Sequence, residues 1–145
     1  MRPDLVYLVQ TDTTAGFLSQ SKERLAKAKG RPSGRPFLKA VARLSALNEC
    51  GRTPSKFKNL VRRSRKRSFI LPNGTSFRVV SGRHRDFIEK FGWCYTTSAN
   101  RHGEPFDEKY ALDHCDVVVE SEGGFHSAKA SEIWRLGREK RLKIR

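Results

Sequence analysis

Short apolar runs alternate with helically spaced apolar residues along this chain of 145 residues. The run from Leu5 to Val9 predicts a buried first strand, and the polar residues Thr11 to Gly16 predict the turn that closes it. Further apolar runs predict strands over Phe37 to Val41, Cys94 to Thr97 and Val117 to Glu120. Strands that alternate with helices predict an α/β (α+β) fold, rather than a helical bundle or a β-sandwich.

The first predicted helix is short and basic and covers Ser21 to Ala28. Leu25 is placed on its inner face, and either Ser19 or Ser21 can cap its first turn through a side-chain oxygen. Gly30 follows the last helical residue, where a glycine commonly ends a helix. We therefore expect the chain to leave the helix in a turn at this glycine.

A second helix is predicted to begin at Thr53-Pro54, since a threonine cap followed by a first-turn proline is a common helix start. Phe57, Leu60 and Val61 form its apolar stripe. Its other face is predicted to carry the basic residues Lys56, Lys58, Arg62, Arg63 and Arg65.

The remaining elements are predicted from turn and cap residues. The segments Ser68 to Leu71 and Ser76 to Val80 flank Asn73-Gly74, a strong hairpin signal because this pair tolerates positive φ. Helices are predicted over Arg85 to Phe91 and, behind an Asp107 cap, over Glu108 to Leu112.

The positive charge of the chain is large and unevenly spread. The formal net charge is +15, from 30 Lys and Arg against 15 Asp and Glu. Lys22 to Arg67 contains 16 basic and two acidic residues, whereas Arg101 to Glu132 contains three basic and eight acidic residues. Clustered lysine and arginine in such excess favour phosphate contacts, so we expect a nucleic-acid partner. Solvation of helix surfaces is the alternative for any single basic run.

The three cysteines, Cys50, Cys94 and Cys115, are odd in number and widely spaced. They form no Cys-x-x-Cys motif, and the histidines lack zinc-ligand spacing, so we expect reduced thiols, no metal site and a cytoplasmic protein. At this length, one domain over residues 1–145 is the simplest prediction. No signal peptide, transmembrane span or membrane partner is expected from the hydropathy pattern.

Six short motifs follow one another between Thr11 and Ile133. They are Thr11-Asp12-Thr13-Thr14-Ala15-Gly16-Phe17, Lys29-Gly30-Arg31-Pro32 with Pro36-Phe37, Ser68-Phe69-Ile70-Leu71-Pro72, Phe77-Arg78-Val79, Thr97-Ser98-Ala99-Asn100 with Gly103, and Ala130-Ser131-Glu132-Ile133. In this order they resemble the motifs of YrdC-like proteins, the threonylcarbamoyl-AMP synthase family. The resemblance implies a single YrdC-like domain, with a twisted, mixed, open sheet, flanking helices and a basic concave face.

The resemblance also implies a reaction. YrdC-like enzymes form threonylcarbamoyl-AMP and pyrophosphate from threonine, bicarbonate and ATP, for N6-threonylcarbamoyladenosine in tRNA. ATP would be a substrate, Mg²⁺ would arrive with it, and other tRNA threonylcarbamoyl-transfer proteins would be partners. Such a nucleotidyltransferase step needs positioning and charge neutralisation more than a protein nucleophile. No residue is therefore expected to act as a nucleophile.

Site residues follow from the matched motifs. The residues that the resemblance places on ATP are Lys29, Arg31, Ser98 and Asn100. Those that it places on threonine are Thr13, Arg78, Thr96 and Ser131. Structural alternatives stay open for most of them. Lys29 and Arg31 can be surface cations at a helix exit, and Ser98 and Asn100 can belong to a polar turn. Arg78 can be a solvent-facing arginine at a strand edge, Thr13 a turn residue and Ser131 a helix cap.

Two positions depart from the family pattern. Ala15 stands where the family has an aromatic residue, and Gln10 stands where it has a proline. These departures, with the basic charge, support a second hypothesis, a catalytically inactive YrdC-like protein that binds double-stranded regions of tRNA or rRNA. The residues expected to contact RNA are Lys56, Lys58, Arg62, Arg63, Arg65, Lys66 and Arg67.

Overall fold

The computed structural model describes residues 2–32, 34–47 and 50–145. These residues form two compact units, the first made of residues up to Phe37 with Cys94–Lys129, the second of Leu38–Trp93 with Ala130–Arg145. The elements in chain order are β1 (Tyr7–Gln10), β2 (Ala15–Ser19), α1 (Lys22–Lys29), β3 (Leu38–Val41), α2 (Lys58–Arg63), β4 (Arg67–Ile70), β5 (Ser76–Val79), α3 (Gly82–Glu89), β6 (Trp93–Ser98), α4 (Glu108–Asp113), β7 (Val117–Val118), β8 (Glu132–Leu136) and β9 (Arg141–Lys143). The predicted mixed α/β class is confirmed.

The first unit has the strand order β7-β1-β2-β6. Strand β1 pairs parallel with β7 and antiparallel with β2, and β2 pairs antiparallel with β6. Helix α1 buries Leu25 and Ala26 in an apolar cluster that includes Leu8 and Phe17. Because its apolar positions fall on one side, α1 can cover the strands while all its charged residues except Lys29 stay in solvent.

The turn predicted over Thr11 to Gly16 is shorter in the structure, because β2 already begins at Ala15. All five residues of β2 are buried, and the strand lies between β1 and β6. A Cβ atom on Gly16 would lie 2.9 Å from Thr11 Cγ2 and 3.2 Å from the carbonyl oxygen of Thr97. This glycine therefore allows close strand packing, rather than ending a turn.

Local hydrogen bonds decide both ends of α1. The Ser21 side chain accepts a hydrogen bond from the Arg24 N–H at 3.2 Å, so Ser21 is the cap. Ser19 instead accepts from the Ser21 N–H and donates to the Asp4 carbonyl. At the other end Gly30 has φ 70°, and its N–H donates to the last carbonyls of the helix. The predicted glycine stop is confirmed.

Replacing Gly30 with alanine is expected to lower the free energy of unfolding by about 1 kcal/mol, because the Cβ of alanine makes a left-handed φ unfavourable. The new Cβ would meet Arg101 and Tyr110 no closer than 3.6 Å, so steric overlap adds little. Urea denaturation measures the change. Gly34→Ala is the control, since that Cβ would meet nothing within 4 Å. Equal stability of Gly30→Ala and the wild type would contradict this assignment.

The second unit has the strand order β3-β5-β4-β8-β9. The β3/β5 and β4/β8 pairs are parallel, and the β4/β5 and β8/β9 pairs are antiparallel. The β4–β5 hairpin confirms the Asn-Gly prediction: Gly74 has φ 88°, and the Thr75 N–H donates to Asn73 Oδ1 at 3.0 Å. Phe69 and Phe77 face each other across this hairpin and are buried in the core of the unit.

Helix α2 has the predicted apolar and basic faces but a different start. Ser55–Phe57 forms a 3₁₀ turn, and α2 begins at Lys58 without a side-chain cap. Thr53 is therefore not the cap that the sequence predicts, and its hydroxyl is buried without a hydrogen-bond partner in the described structure. Phe57 and Val61 are buried as predicted, and Leu60 is half-buried.

Two other predicted boundaries are wrong. Helix α3 begins at Gly82 and ends at Glu89, so Phe91 lies beyond it, although its ring still packs on Phe87 with centroids 5.5 Å apart. Strand β7 is only two residues long. The basic stretch from Trp134 contains β8 and β9, whose pairing no local signal indicates. No helix in the described ranges is both long and apolar enough to span a membrane.

Candidate functional site

A buried lysine joins helix α1 to the loop after β6. Lys29 is the last residue of α1 and is 5% exposed. Its Nζ donates to the Ser98 carbonyl at 3.0 Å, to Ser98 Oγ at 2.9 Å and to Asn100 Oδ1 at 2.8 Å. An ammonium group has three protons, so each of them has an acceptor. Three of the four residues predicted for ATP thus lie in direct contact.

The loop that holds Lys29 is itself fixed on both sides. The Ala99 N–H donates to the Ala15 carbonyl at 2.8 Å, which extends the β2–β6 pairing by one residue. The Asn100 amide donates through Nδ2 to the carbonyls of Arg101 at 3.0 Å and Glu104 at 2.6 Å. These two bonds orient Asn100 with its Oδ1 toward Lys29, since an amide has one acceptor oxygen and one donor nitrogen.

Burial makes the charge of Lys29 responsive to pH. Desolvation, with a smaller effect of the positive charge of Arg31, lowers the pKa of the Lys29 ammonium to about 8. The group is therefore mostly protonated at neutral pH and loses its charge at mildly alkaline pH. Such a cation in a poorly solvated place attracts an anion more strongly than an exposed lysine does.

Arg31, the fourth residue predicted for ATP, lies just after α1 and is stacked on an aromatic ring. Its guanidinium carbon is 3.9 Å from the centroid of Phe37, and its Nη2 donates to the Pro36 carbonyl at 2.9 Å. Its Nε is buried and has no hydrogen-bond partner in the described ranges. Burial, with a smaller effect of Arg35, lowers the pKa of Arg31. The stack pre-orients one free N–H for an acceptor.

Two of the residues predicted for threonine lie in the same unit as Lys29. Thr13 is 6% exposed, and its Oγ1 lies 3.2 Å from Oγ1 of Thr11, which also accepts from the Thr13 N–H. Thr96 is buried in β6 two residues before Ser98, so both side chains point to one face of the strand. Thr11, which contacts Thr13, and Phe37, which stacks on Arg31, lie inside matched motifs. The sequence does not indicate that they orient these site residues.

The two departures from the family pattern have a common partner. The Gln10 side chain accepts through Oε1 from the His126 N–H at 3.0 Å. Ala15 is fully buried, and its N–H donates to the His126 carbonyl at 3.0 Å. The side chain of Gln10 and the backbone of Ala15 therefore both form hydrogen bonds with the backbone of His126, which lies in the segment after β7.

Arg78 and Ser131, the other residues predicted for threonine, belong to the second unit. Arg78 is 4% exposed on β5, which has β3 and β4 as neighbours. A solvent-facing arginine at a strand edge, the structural alternative for this position, is therefore wrong. Ser131 is buried, and its Oγ lies 2.8 Å from Ser68 Oγ. Arg145 donates to the carbonyl of Ser131.

Most of the side chains predicted to contact RNA are exposed. Two of the seven have acidic partners among the described residues: Arg67 lies 3.5 Å from the Glu132 carboxylate, and Lys56 lies 3.7 Å from that of Glu139. The exposed members are Lys56, Lys58, Arg62, Arg63, Arg65 and Lys66. In the described ranges no three His, Cys, Asp or Glu side chains are grouped as metal ligands. That Mg²⁺ arrives with ATP stays a prediction.

Neither a protein-family model nor a curated protein matches this chain. Solved structures match it in fold. Sua5 from P. abyssi, determined in complex with L-threonine, has a TM-score of 0.79 and 17% identity. The match covers 97% of this chain and 50% of the Sua5 chain. The chain therefore spans about half the length of that protein.

Two further structures are similar. E. coli YciO has a TM-score of 0.75 and 17% identity, over 98% of this chain and 82% of its own. Full-length HypF, in a phosphate- and nucleotide-bound form, has a TM-score of 0.76 and 13% identity, over 97% of this chain and 26% of its own. Sua5 and YciO are Sua5/YrdC-family proteins. The predicted likeness to the YrdC-like fold is confirmed, and at these identities the likeness concerns the fold.

Proposed function

We propose that this chain is an L-threonylcarbamoyl-AMP synthase, which forms threonylcarbamoyl-AMP and pyrophosphate from threonine, bicarbonate and ATP for tRNA modification. The observation that carries the proposal is the buried Lys29 ammonium, held 2.8 to 3.0 Å from Ser98 and Asn100. The order of the six motifs supports it. So do the similar folds of one protein solved with L-threonine and of another solved with phosphate and nucleotide.

The chemistry is nucleotidyl transfer. A carboxylate oxygen of N-carboxythreonine attacks the α-phosphorus of ATP, the new O–P bond forms, and the bond to the bridging oxygen breaks as pyrophosphate leaves. Lys29 neutralises charge on the phosphates as a compact cation, and Arg31 donates to phosphate oxygens from its planar fork. Ser98 and Asn100 position the nucleotide. Mg²⁺, when it arrives with ATP, supplies further charge neutralisation.

The remaining substrate groups need polar side chains of other kinds. A carboxylate is best recognised by a guanidinium, and the buried Arg78 is the arginine that we assign to the carboxylate of threonine. Hydroxyl groups of Thr13, Thr96 and Ser131 can both donate and accept, which suits the amine and hydroxyl of threonine. These assignments concern binding, because nucleotidyl transfer requires no covalent intermediate with the protein.

Release of pyrophosphate tests this proposal directly. Purified protein should release pyrophosphate when threonine, bicarbonate and ATP are all present, because attack needs the carboxylated amino acid. Omission of any one of the three should reduce the release to the background of the protein-free mixture. A coupled pyrophosphate assay measures it. No release from the complete mixture, with or without tRNA threonylcarbamoyl-transfer proteins, would rule out the activity.

The exposed basic side chains of α2 and of the turn after it favour a second candidate function. Six of the seven predicted RNA contacts are exposed, and a closely spaced set of cations is suited to the phosphates of structured RNA. The second candidate is a catalytically inactive protein that binds tRNA or rRNA. Steeply salt-dependent binding of a stem-loop RNA, together with no pyrophosphate release, would favour this function over the enzyme.

A further inference from the structure

The second unit contains a cavity that the proposed reaction does not use. Its volume is about 890 Å³, within the usual size range of small-molecule sites. Four cations line it, and no acidic residue is among its lining residues in the described ranges: Arg52, Lys58, Arg62 and Arg138. The apolar part of the wall is made of Leu44, Leu47, Pro54 and Pro72.

The four cations reach the cavity from different parts of the chain. Arg52 precedes the 3₁₀ turn at Ser55–Phe57, and Arg138 lies between β8 and β9. Lys58 and Arg62 are four residues apart on α2, so they lie on one face of the helix. None of the four forms an ion pair with a described residue.

The nearest acidic side chain in sequence to Arg138 is already engaged elsewhere. Glu139 lies 3.7 Å from Lys56 Nζ, and its carbonyl accepts a hydrogen bond from the same ammonium at 3.0 Å. Lys56 is not a lining residue of the cavity. Cations that share a cavity repel one another, so a multivalent anion between them would stabilise their arrangement.

A hydroxyl group in the cavity wall also lacks a partner. Thr53 is a lining residue, is 6% exposed, and has a buried Oγ1 without a hydrogen bond to any described residue. The large majority of buried polar side-chain atoms in proteins have a partner, so a hydroxyl that lacks one calls for an explanation such as an ion, a water molecule or strain.

We propose that the cavity binds a small organic polyphosphate of the nucleoside di- or triphosphate class. Three arginines, each able to hold two oxygens, and one lysine exceed what a single phosphate group can engage. The volume likewise exceeds that of one phosphate ion, and the apolar wall offers a surface to the organic part of the ligand. This site is separate from the proposed reaction, because none of the residues assigned to that reaction lines the cavity.

Calorimetric titration with ADP and with inorganic tripolyphosphate tests the site. The titrations use the Lys29→Ala protein, so that the nucleotide site proposed in the first unit does not contribute. Both compounds should bind, and inorganic phosphate should bind at least tenfold more weakly than tripolyphosphate. Arg138→Gln should weaken tripolyphosphate binding about tenfold, because one charge-assisted contact is lost.

The matched control is Lys140→Gln, which removes one exposed positive charge from the same β8–β9 connection but does not line the cavity. It should change the affinity less than twofold. Circular dichroism checks that every variant is folded. The proposal is overturned if ADP and tripolyphosphate do not bind, or if Lys140→Gln and Arg138→Gln weaken binding equally. It is also overturned if a stem-loop RNA binds at this face and tripolyphosphate does not displace it.

Discussion

Replacing Lys29 with methionine is expected to lower the rate of pyrophosphate release at least about 100-fold, the usual cost of removing one group that stabilises developing charge. Methionine keeps an unbranched apolar stem of similar length, so the end of α1 should stay packed. The acceptors on Ser98 and Asn100 would remain in place without their cation. Steady-state pyrophosphate release measures the loss, with kcat and KM for ATP determined separately.

Lys29→Arg is the matched variant, because arginine keeps the positive charge but is planar and larger than an ammonium group. We expect it to retain more activity than Lys29→Met and less than the wild type. Equal activity of the methionine variant and the wild type would show that Lys29 only holds the loop after β6. In that case the chain would still be a synthase, but the assignment of Lys29 to phosphate binding would be wrong.

The pH dependence of the same reaction has a defined sign. Because burial lowers the pKa of Lys29 to about 8, kcat/KM for ATP should fall as pH rises through 8. Stability should change in the opposite direction. Between pH 8 and the ordinary lysine value of 10.5, the unfolded chain binds more protons than the folded one, so Lys29 contributes increasing stability as pH rises. Urea denaturation of the wild type and Lys29→Met measures this difference.

The second large effect concerns RNA. If the six exposed cations of the α2 region each contact a phosphate, affinity for a stem-loop RNA should fall about 10³-fold between 50 and 200 mM salt. Arg63→Gln and Arg65→Gln should each reduce the slope of log affinity against log salt by about 1. Neither residue lines the cavity of the second unit, so these variants report RNA contacts separately from that site. Filter binding over a salt series gives the slope.

Lys109→Gln is the control for charge alone. Lys109 is exposed on α4 in the acidic part of the chain, and it is not among the predicted RNA contacts. Its removal should leave the slope unchanged, although the net charge falls by the same amount as in the arginine variants. Affinity that is weaker than micromolar and insensitive to salt would contradict RNA binding by this face.

The elements that the sequence predicts well are those whose signals are local. The Gly30 stop, the Asn73-Gly74 hairpin and the Asp107 cap each depend on one or two residues and their own backbone. The sequence does not predict strand β2 or the β8–β9 pair, because β2 and β8 each pair with a strand far along the chain as well as with a neighbouring one. Strand β8 pairs with β4, far earlier in the chain, and no local pattern in a basic terminal stretch indicates that contact.

The candidate site likewise depends mostly on contacts between residues that are distant in sequence. Lys29 and Ser98 are 69 residues apart, and only the resemblance to a family indicated that they belong to one site. The ring of Phe37 under Arg31, and the hydroxyl of Thr11 beside Thr13, follow from tertiary geometry. The cavity in the second unit depends on the approach of Arg138 to α2, which no motif indicates.

The three acceptors around Lys29 have a consequence for ligand choice. An entering anion must replace at least one neutral oxygen that already satisfies the ammonium, so its gain is only the difference between two hydrogen bonds. Chloride and other weakly accepting monovalent ions gain little from such an exchange. A phosphate oxygen, which carries more charge and accepts a stronger bond, gains more. In the proposed site, the loop after β6 would therefore select a ligand by its charge, apart from any contact with a nucleotide base.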